Sequence, residues 1–246
     1  MTERKWNLKI RNETEKAEIW IYGNVIDDAD GAIANLLELA NGYVFPAKIR
    51  EQLDEIGEKP VNIYFASDGG DVNAGMAIAN IIKRLKGKTT AYIDSWAASI
   101  ASVIALSCDE IVMPANTFIM IHNPACCVFG NANDLRGVAD LLDTIRDSIV
   151  MIYKAHDKAN TDFQSLMDAE TWLTAEKAAE IWDNVTVTDA ANKAVACYTR
   201  FGGKAPKCLK KPVEPAKPAE PVKTVEPAVD YTDLIRQATE VLEHGN

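Results

Sequence analysis

Lys88-Thr-Thr-Ala-Tyr-Ile-Asp-Ser-Trp-Ala-Ala-Ser99-Ile-Ala-Ser-Val-Ile-Ala-Leu106 is an extended run followed directly by an apolar helical run. The β-branched and aromatic residues between Lys88 and Ser95 favour a strand. Ser99 to Leu106 reads as an apolar helix. Ser99 therefore stands at a strand-to-helix turn, inside Ala97-Ala98-Ser99-Ile100-Ala101. Such a turn lifts a hydroxyl out of the sheet and aims backbone N–H groups at the space beside it. A nucleophile elbow usually surrounds its serine with glycine, where backbone passes close by, and alanine fills those places here. The plainer role for the same residue is a helix N-cap.

Outward from that turn, strand-like runs recur at residues 17–23, Val61–Ala66, Thr89–Asp94, Glu110–Met113 and Thr117–His122. Helical patterns at Val72–Leu85 and Ser99–Leu106 lie between them. Strands alternating with helices predict an α/β protein with repeated βαβ units and a mostly parallel sheet. The longest periodic segment is 134–158, where Leu135, Val138, Leu142, Ile145, Ile149 and Ile152 recur at steps of three and four. That is one face of a long amphipathic helix, read chiefly as core packing and equally usable as an interface between copies.

Of the 10 prolines in the chain, those at 206, 212, 215, 218, 221 and 227 are interleaved with Lys, Glu, Ala and Val. Such a segment buries too little apolar area to fold, and proline keeps it extended. The organisation expected is a globular domain over 1–203, a linker over 204–229 and a short amphipathic helix or tail over 230–246. The last carries Leu234, Ile235, Ala238, Val241 and Leu242 as one stripe.

The net charge of −10 gives no support to a nucleic-acid or anionic-membrane role. No apolar run is long enough to span a bilayer, and no apolar signal region is expected behind Met1-Thr2-Glu3-Arg4-Lys5-Trp6. Five cysteines without paired spacing suit free thiols in a reducing, cytoplasmic setting. No cofactor and no metal is expected. Asp28-Ala-Asp30-Gly31 lacks the further carboxylates of a calcium loop, and Cys126-Cys127 with His122 lacks further zinc ligands.

A serine hydroxyl needs a base to take its proton, and the chain has 3 histidines. His244 lies in the tail. His156 falls in register with the apolar stripe. His122 closes the strand-like run and precedes Asn123-Pro124, a sheet-edge position where active sites gather. A third group must orient the imidazole, and the segment from Asp168 through Glu170 to Glu176 supplies candidates that periodicity cannot rank. Thr174 in that segment reads as a helix N-cap. Oxyanion donors are expected from Ser67-Asp68-Gly69-Gly70-Asp71, where paired glycines let backbone approach a ligand.

In order, Tyr64-Phe-Ala-Ser-Asp-Gly69-Gly70-Asp-Val-Asn-Ala-Gly75, Ala97-Ala-Ser99-Ile-Ala, Met120-Ile-His122-Asn-Pro124 and Glu170-Thr-Trp-Leu-Thr-Ala resemble the ClpP proteolytic subunits over roughly residues 17–190. The resemblance implies a serine endopeptidase on the ClpP/crotonase-like fold. It implies Ser99 as nucleophile, His122 as base and Glu170 in the place of the usual aspartate, with Asp168 as the alternative. It implies an oxyanion hole made by the N–H groups of Gly70 and Ile100. It further implies ring homo-oligomers, heptameric or stacked, with the long helix meeting the opposite ring.

Asp68 stands where that family usually has proline. The segment 24–58, the Glu170-Thr-Trp wording and the proline-rich tail look more like phage- or prophage-encoded head-maturation proteases, which process capsid or scaffold protein. Capsid processing in a bacterial or phage-infected cytoplasm is thus the first expectation. A peptidase coupled to an AAA+ unfoldase is the alternative. A crotonase-like acyl-CoA enzyme and an inactive assembly scaffold are the alternatives of another class.

Overall fold

The structure is a computed structural model that describes residues 10–12, 15–36, 42–51 and 56–189. The expected linker at 204–229, the tail at 230–246 and His244 lie outside the described residues.

Nine strands form one sheet among the described residues, and most neighbours run parallel. The elements in chain order are β1 (Ile10–Asn12), β2 (Ala17–Val25), α1 (Asp28–Leu36), β3 (Tyr43–Val44), α2 (Pro46–Arg50), β4 (Val61–Gly70), α3 (Val72–Lys83), β5 (Thr89–Ala98) and α4 (Ile100–Ala105). After these come β6 (Glu110–Pro114), β7 (Phe118–Ile121), α5 (Ala132–Lys154), α6 (Phe163–Asp168), β8 (Thr171–Thr174), α7 (Ala175–Ile181) and β9 (Val185–Thr188). The main order is β1-β2-β4-β5-β6-β9. Only the β1–β2 and β7–β8 pairs are antiparallel. The α/β class with βαβ repeats read from the sequence is the fold found.

The centre of the sheet follows from side-chain alternation. Val61, Ile63, Phe65 and Ser67 of β4 are buried, while Asn62, Tyr64 and Ala66 between them are half-buried. One face of each strand therefore meets the core and the other does not. The core face packs against α3 and α4, which supply Ala74, Ile78, Ile81, Ile82, Ile100, Val103 and Ile104. On the opposite face Trp20, Tyr64 and Tyr92 stack across β2, β4 and β5, with ring centroids 5.1 and 5.2 Å apart.

β5 forks along its length. Its first half pairs with β6 (Thr90↔Glu110 to Tyr92↔Val112) and its last three residues pair with β7 (Trp96↔Phe118 to Ala98↔Met120). The fork opens the sheet where β4 and β5 end, and Ser99 and His122 meet there.

Two expectations are corrected. The long helix spans Ala132–Lys154, not 134–158, and starts with a capping box of Asn131 and Asp134. His156 lies beyond it, where its Nδ1 pairs with Asp183 Oδ1 at 3.1 Å. The apolar stripe is only partly in the core: Ile145, Ile149 and Ile152 pack on it, but Leu135 is 45% exposed. Core packing accounts for the C-terminal part of the stripe, from Ile145 on.

Candidate active site

β4, β5 and β7 deliver three pieces of backbone to one place. β5 ends at Ala98, and Ser99 turns into α4 with φ 55° and ψ −129°, a region that L residues rarely enter. Ser99 holds the N-cap position of α4, as the plainer reading has it, but its side chain makes no capping bond, and the helix begins at Ile100. Ser99 Oγ instead lies 2.7 Å from His122 Nε2. The Ala98↔Met120 register produces this contact, because it sets Ser99 and His122 each just past the end of its strand.

The strained backbone at Ser99 is held from both sides. Its N–H donates to the Met120 carbonyl at 2.9 Å. Its carbonyl accepts from Ser102 N–H at 3.0 Å and from Ser102 Oγ at 2.6 Å. Ser102 Oγ also lies 2.8 Å from the buried Tyr153 hydroxyl. Ser102 spends its only hydroxyl proton on Ser99, so Tyr153 is the donor in that pair. Burial pushes the Tyr153 phenol pKa well up, which keeps it protonated for this role. Tyr153→Phe is expected to cost about 1–2 kcal/mol, the worth of a buried hydrogen bond, read as a lower thermal midpoint at fixed protein concentration.

The Ser67–Asp71 segment is not a loop after a strand; β4 runs on through Gly70. Gly69 and Gly70 have φ 94° and 141°. A Cβ on Gly69 would stand 2.8 Å from Ser99 Cβ and 3.1 Å from Ile100 N, and one on Gly70 only 2.0 Å from the Val25 carbonyl oxygen. Both positions therefore require glycine, and the first puts the segment against Ser99. Gly69 N–H donates to Ser67 Oγ at 3.2 Å, and Asp71 N–H donates to the Val25 carbonyl at 2.8 Å. Gly70 lies between these two donors in the chain. Ile100 is the first helical residue, so its N–H has no acceptor within the helix. α4 is itself set by a close crossing, since a Cβ on Gly75 of α3 would stand 2.1 Å from Ile100 Cγ1.

The third role is less closed. β7 and β8 pair antiparallel with Ile121↔Thr171, so one further step sets Glu170 across from His122. Glu170 is exposed with φ 47°, and its carboxylate makes no hydrogen bond to the imidazole among the described residues. Asp168 Oδ1 accepts from Asn123 Nδ2 at 2.7 Å, so its carboxylate is engaged with the residue after the histidine. The structure thus joins Ser99 with His122 and sets Gly69-Gly70 against Ser99, while both carboxylates stand off the ring. Glu170→Gln is expected to lower turnover more than Asp168→Asn, because the β7–β8 register sets Glu170 across from His122 while Asp168 is engaged by Asn123. The kcat of each variant on one peptide decides the ranking, and the reverse order moves the role to Asp168.

Sequence reasoning missed Ser102, Tyr153 and Asn123. No local pattern marks them, because each acts through a partner at least one element away, apart from the Ser102–Ser99 bond within one turn. Asp28 and Asp30 lie in the first turn of α1, and Asp28 Oδ1 accepts from Ala47 N–H at 2.7 Å. Cys126 and Cys127 are exposed, while Cys108 is buried with its thiol pKa pushed up by desolvation, a packing residue. Thr174 does cap α7, accepting from Lys177 N–H.

No helix among the described residues is long and apolar enough to cross a membrane. The family model of Clp protease matches residues 48–187, which is more than half of the chain and contains every site residue named above. The ATP-dependent Clp protease proteolytic subunit 1 of Protochlamydia amoebophila is 32% identical over 127 residues, 50% of this chain. The ATP-dependent Clp protease proteolytic subunit of Bdellovibrio bacteriovorus is 28% identical over 144 residues, covering 55% of this chain and 68% of that protein. The match spans 62% of the Protochlamydia protein's length, a little under two thirds. With the family model spanning the strands and turns that carry Ser99 and His122, this chain belongs to the Clp protease family.

Proposed function

We propose that this chain is a serine endopeptidase that hydrolyses peptide bonds inside a ring-shaped homo-oligomer and takes its substrates from an ATP-driven AAA+ unfoldase. The observation that carries the peptidase reading is the 2.7 Å contact between Ser99 Oγ and His122 Nε2. His122 takes the hydroxyl proton as Ser99 Oγ attacks the scissile carbonyl. The carbonyl oxygen becomes an oxyanion, received by the N–H groups of Gly70 and Ile100. The imidazolium returns its proton to the leaving amine, and water repeats the cycle on the acyl-enzyme. Glu170 orients the ring and offsets its charge.

The order of the two expected roles is reversed. Both bacterial relatives are named as proteolytic subunits of ATP-dependent proteases, which supports coupling to an unfoldase over capsid processing. The capsid- or scaffold-processing role rests on the wording of segment 24–58 and of Glu170-Thr-Trp-Leu-Thr-Ala and on the proline-rich tail. Acyl-CoA chemistry draws no support from a serine hydroxyl bonded to a histidine.

The test is proteolysis by the full-length protein with three substrates: a short fluorogenic peptide, an unfolded protein, and a folded protein supplied with ATP and the unfoldase of the same genome. Ser99-dependent cleavage of all three is expected, the last only with ATP. Cleavage of peptide alone, with no gain from unfoldase and ATP, overturns the coupling. No Ser99-dependent cleavage of any substrate overturns the peptidase.

A further inference from the structure

We infer that Asp68 and Trp96 form a latch that positions the oxyanion segment Gly69-Gly70. Trp96 Nε1–H donates to Asp68 Oδ1 at 2.6 Å. Asp68 immediately precedes Gly69, whose missing Cβ lets the segment lie against Ser99 and Ile100 N. Trp96 is three residues before Ser99 on β5. The bond therefore ties the strand that carries the oxyanion donor to the strand that carries the nucleophile, at the level of the chemistry. The inference rests on the peptidase reading above.

On its β2 side the segment stays in the ladder, Asn24↔Gly69 and Val25↔Gly70, so the tie it lacks is the one to β5. Two consecutive glycines with positive φ give the segment more backbone freedom than any other pair in β4. The regular β4–β5 pairing ends at Ser67↔Ala97, after a register shift between Phe65 and Ser67. Past Ser67 the segment is no longer held to β5 by the ladder, and the Asp68–Trp96 bond is a side-chain substitute for it. The indole is itself braced. Trp172 of β8 meets it edge-to-face, with ring centroids 6.3 Å apart and planes at 89°. Trp172 pairs with Met120, two residues before His122. One chain of contacts thus runs from the oxyanion segment across β5 to the hairpin that carries the base.

Asp68 and Trp96 touch no reacting atom; they are positioning residues. Asp68 is exposed and Trp96 is 40% exposed, so the bond adds little to overall stability. Its leverage is geometric, because a displacement of about 1 Å at a reacting group costs about 100-fold in rate. Loss of the latch is therefore expected to lower kcat and leave KM almost untouched.

The experiment measures kcat and KM on one peptide for wild type, Asp68→Ala, Asp68→Asn, Trp96→Phe and the Asp68→Ala/Trp96→Phe double variant, each confirmed as assembled. Asp68→Ala and Trp96→Phe are expected to lower kcat about 10- to 100-fold, with KM within about twofold. Asp68→Asn keeps a carbonyl oxygen for the indole N–H and is expected to retain most of the turnover. The double variant is expected to match the worse single variant, since both remove one bond. Unchanged kcat in the two single variants overturns the latch, as does an additive double variant or an Asp68→Asn as impaired as Asp68→Ala. Wild-type protein without Ser99-dependent turnover fails the peptidase reading instead, and the positioning role falls with it.

Discussion

Ser99→Ala is expected to abolish peptide hydrolysis, a loss on the order of 10⁶-fold in kcat, while the protein folds and assembles as before. The structure separates the two effects cleanly. The Ser99 side chain makes no capping bond, so α4 loses no hydrogen bond when Oγ is removed. The ties that hold residue 99 in its strained conformation all run through backbone atoms, its N–H to Met120 and its carbonyl to Ser102. Alanine keeps every one of them. What disappears is the atom 2.7 Å from His122 Nε2, and with it the covalent route. Any remaining rate comes from the oxyanion donors and substrate binding acting on water. The measurement is fluorogenic peptide turnover at matched protein concentration, with a fluorophosphonate probe that labels wild type at Ser99 and leaves the variant unlabelled. Full turnover in the unlabelled variant overturns the serine mechanism.

Part of this site was legible because its signals are local. The change from a β-branched run to an apolar helical run marks the Ser99 turn, and paired glycines mark a close backbone approach. The strand boundaries were not legible. β5 runs through Trp96 to Ala98 and β4 through Gly70, because cross-strand partners extend a strand past the point where its own residues favour one. The register that joins Ser99 to His122 is a non-local fact, set by β7 docking onto the last three residues of β5. β8 is four residues long and gives no period to read. Without it the place of Glu170 across from His122 stays invisible.

The long helix shows a different limit. Its period was read correctly, and its cover was not. Steps of three and four report that one face is apolar and say nothing of what lies against it. In the single chain Ile149, Val150 and Tyr153 meet the core while Leu135 does not. The same spacing carries His156 one step too far. Asp157 ends the helix by accepting from Ala159 and Thr161 N–H at 3.0 and 2.8 Å, a local turn that competes with further helical bonds.

That end point decides which histidine matters, and His122→Ala is expected to be nearly as damaging as Ser99→Ala. Ser99 Oγ has no other base within hydrogen-bond reach among the described residues. Without His122 its proton has nowhere to go during attack, and the leaving amine has no acid. The two residues act as a unit, so the Ser99→Ala/His122→Ala double variant is expected to be no worse than Ser99→Ala alone, against the roughly 10¹²-fold loss that independent effects of that size would multiply to. His156 is the control. It sits beyond α5 in a pair with Asp183, so His156→Ala is expected to leave kcat within about twofold and to lower only the thermal midpoint, by the modest worth of a partly exposed ion pair. Single-turnover kinetics on the four variants, with burst amplitude as a second reading, make the comparison. A His156→Ala protein without activity beside an active His122→Ala protein would show that the imidazole bonded to Ser99 is not the base.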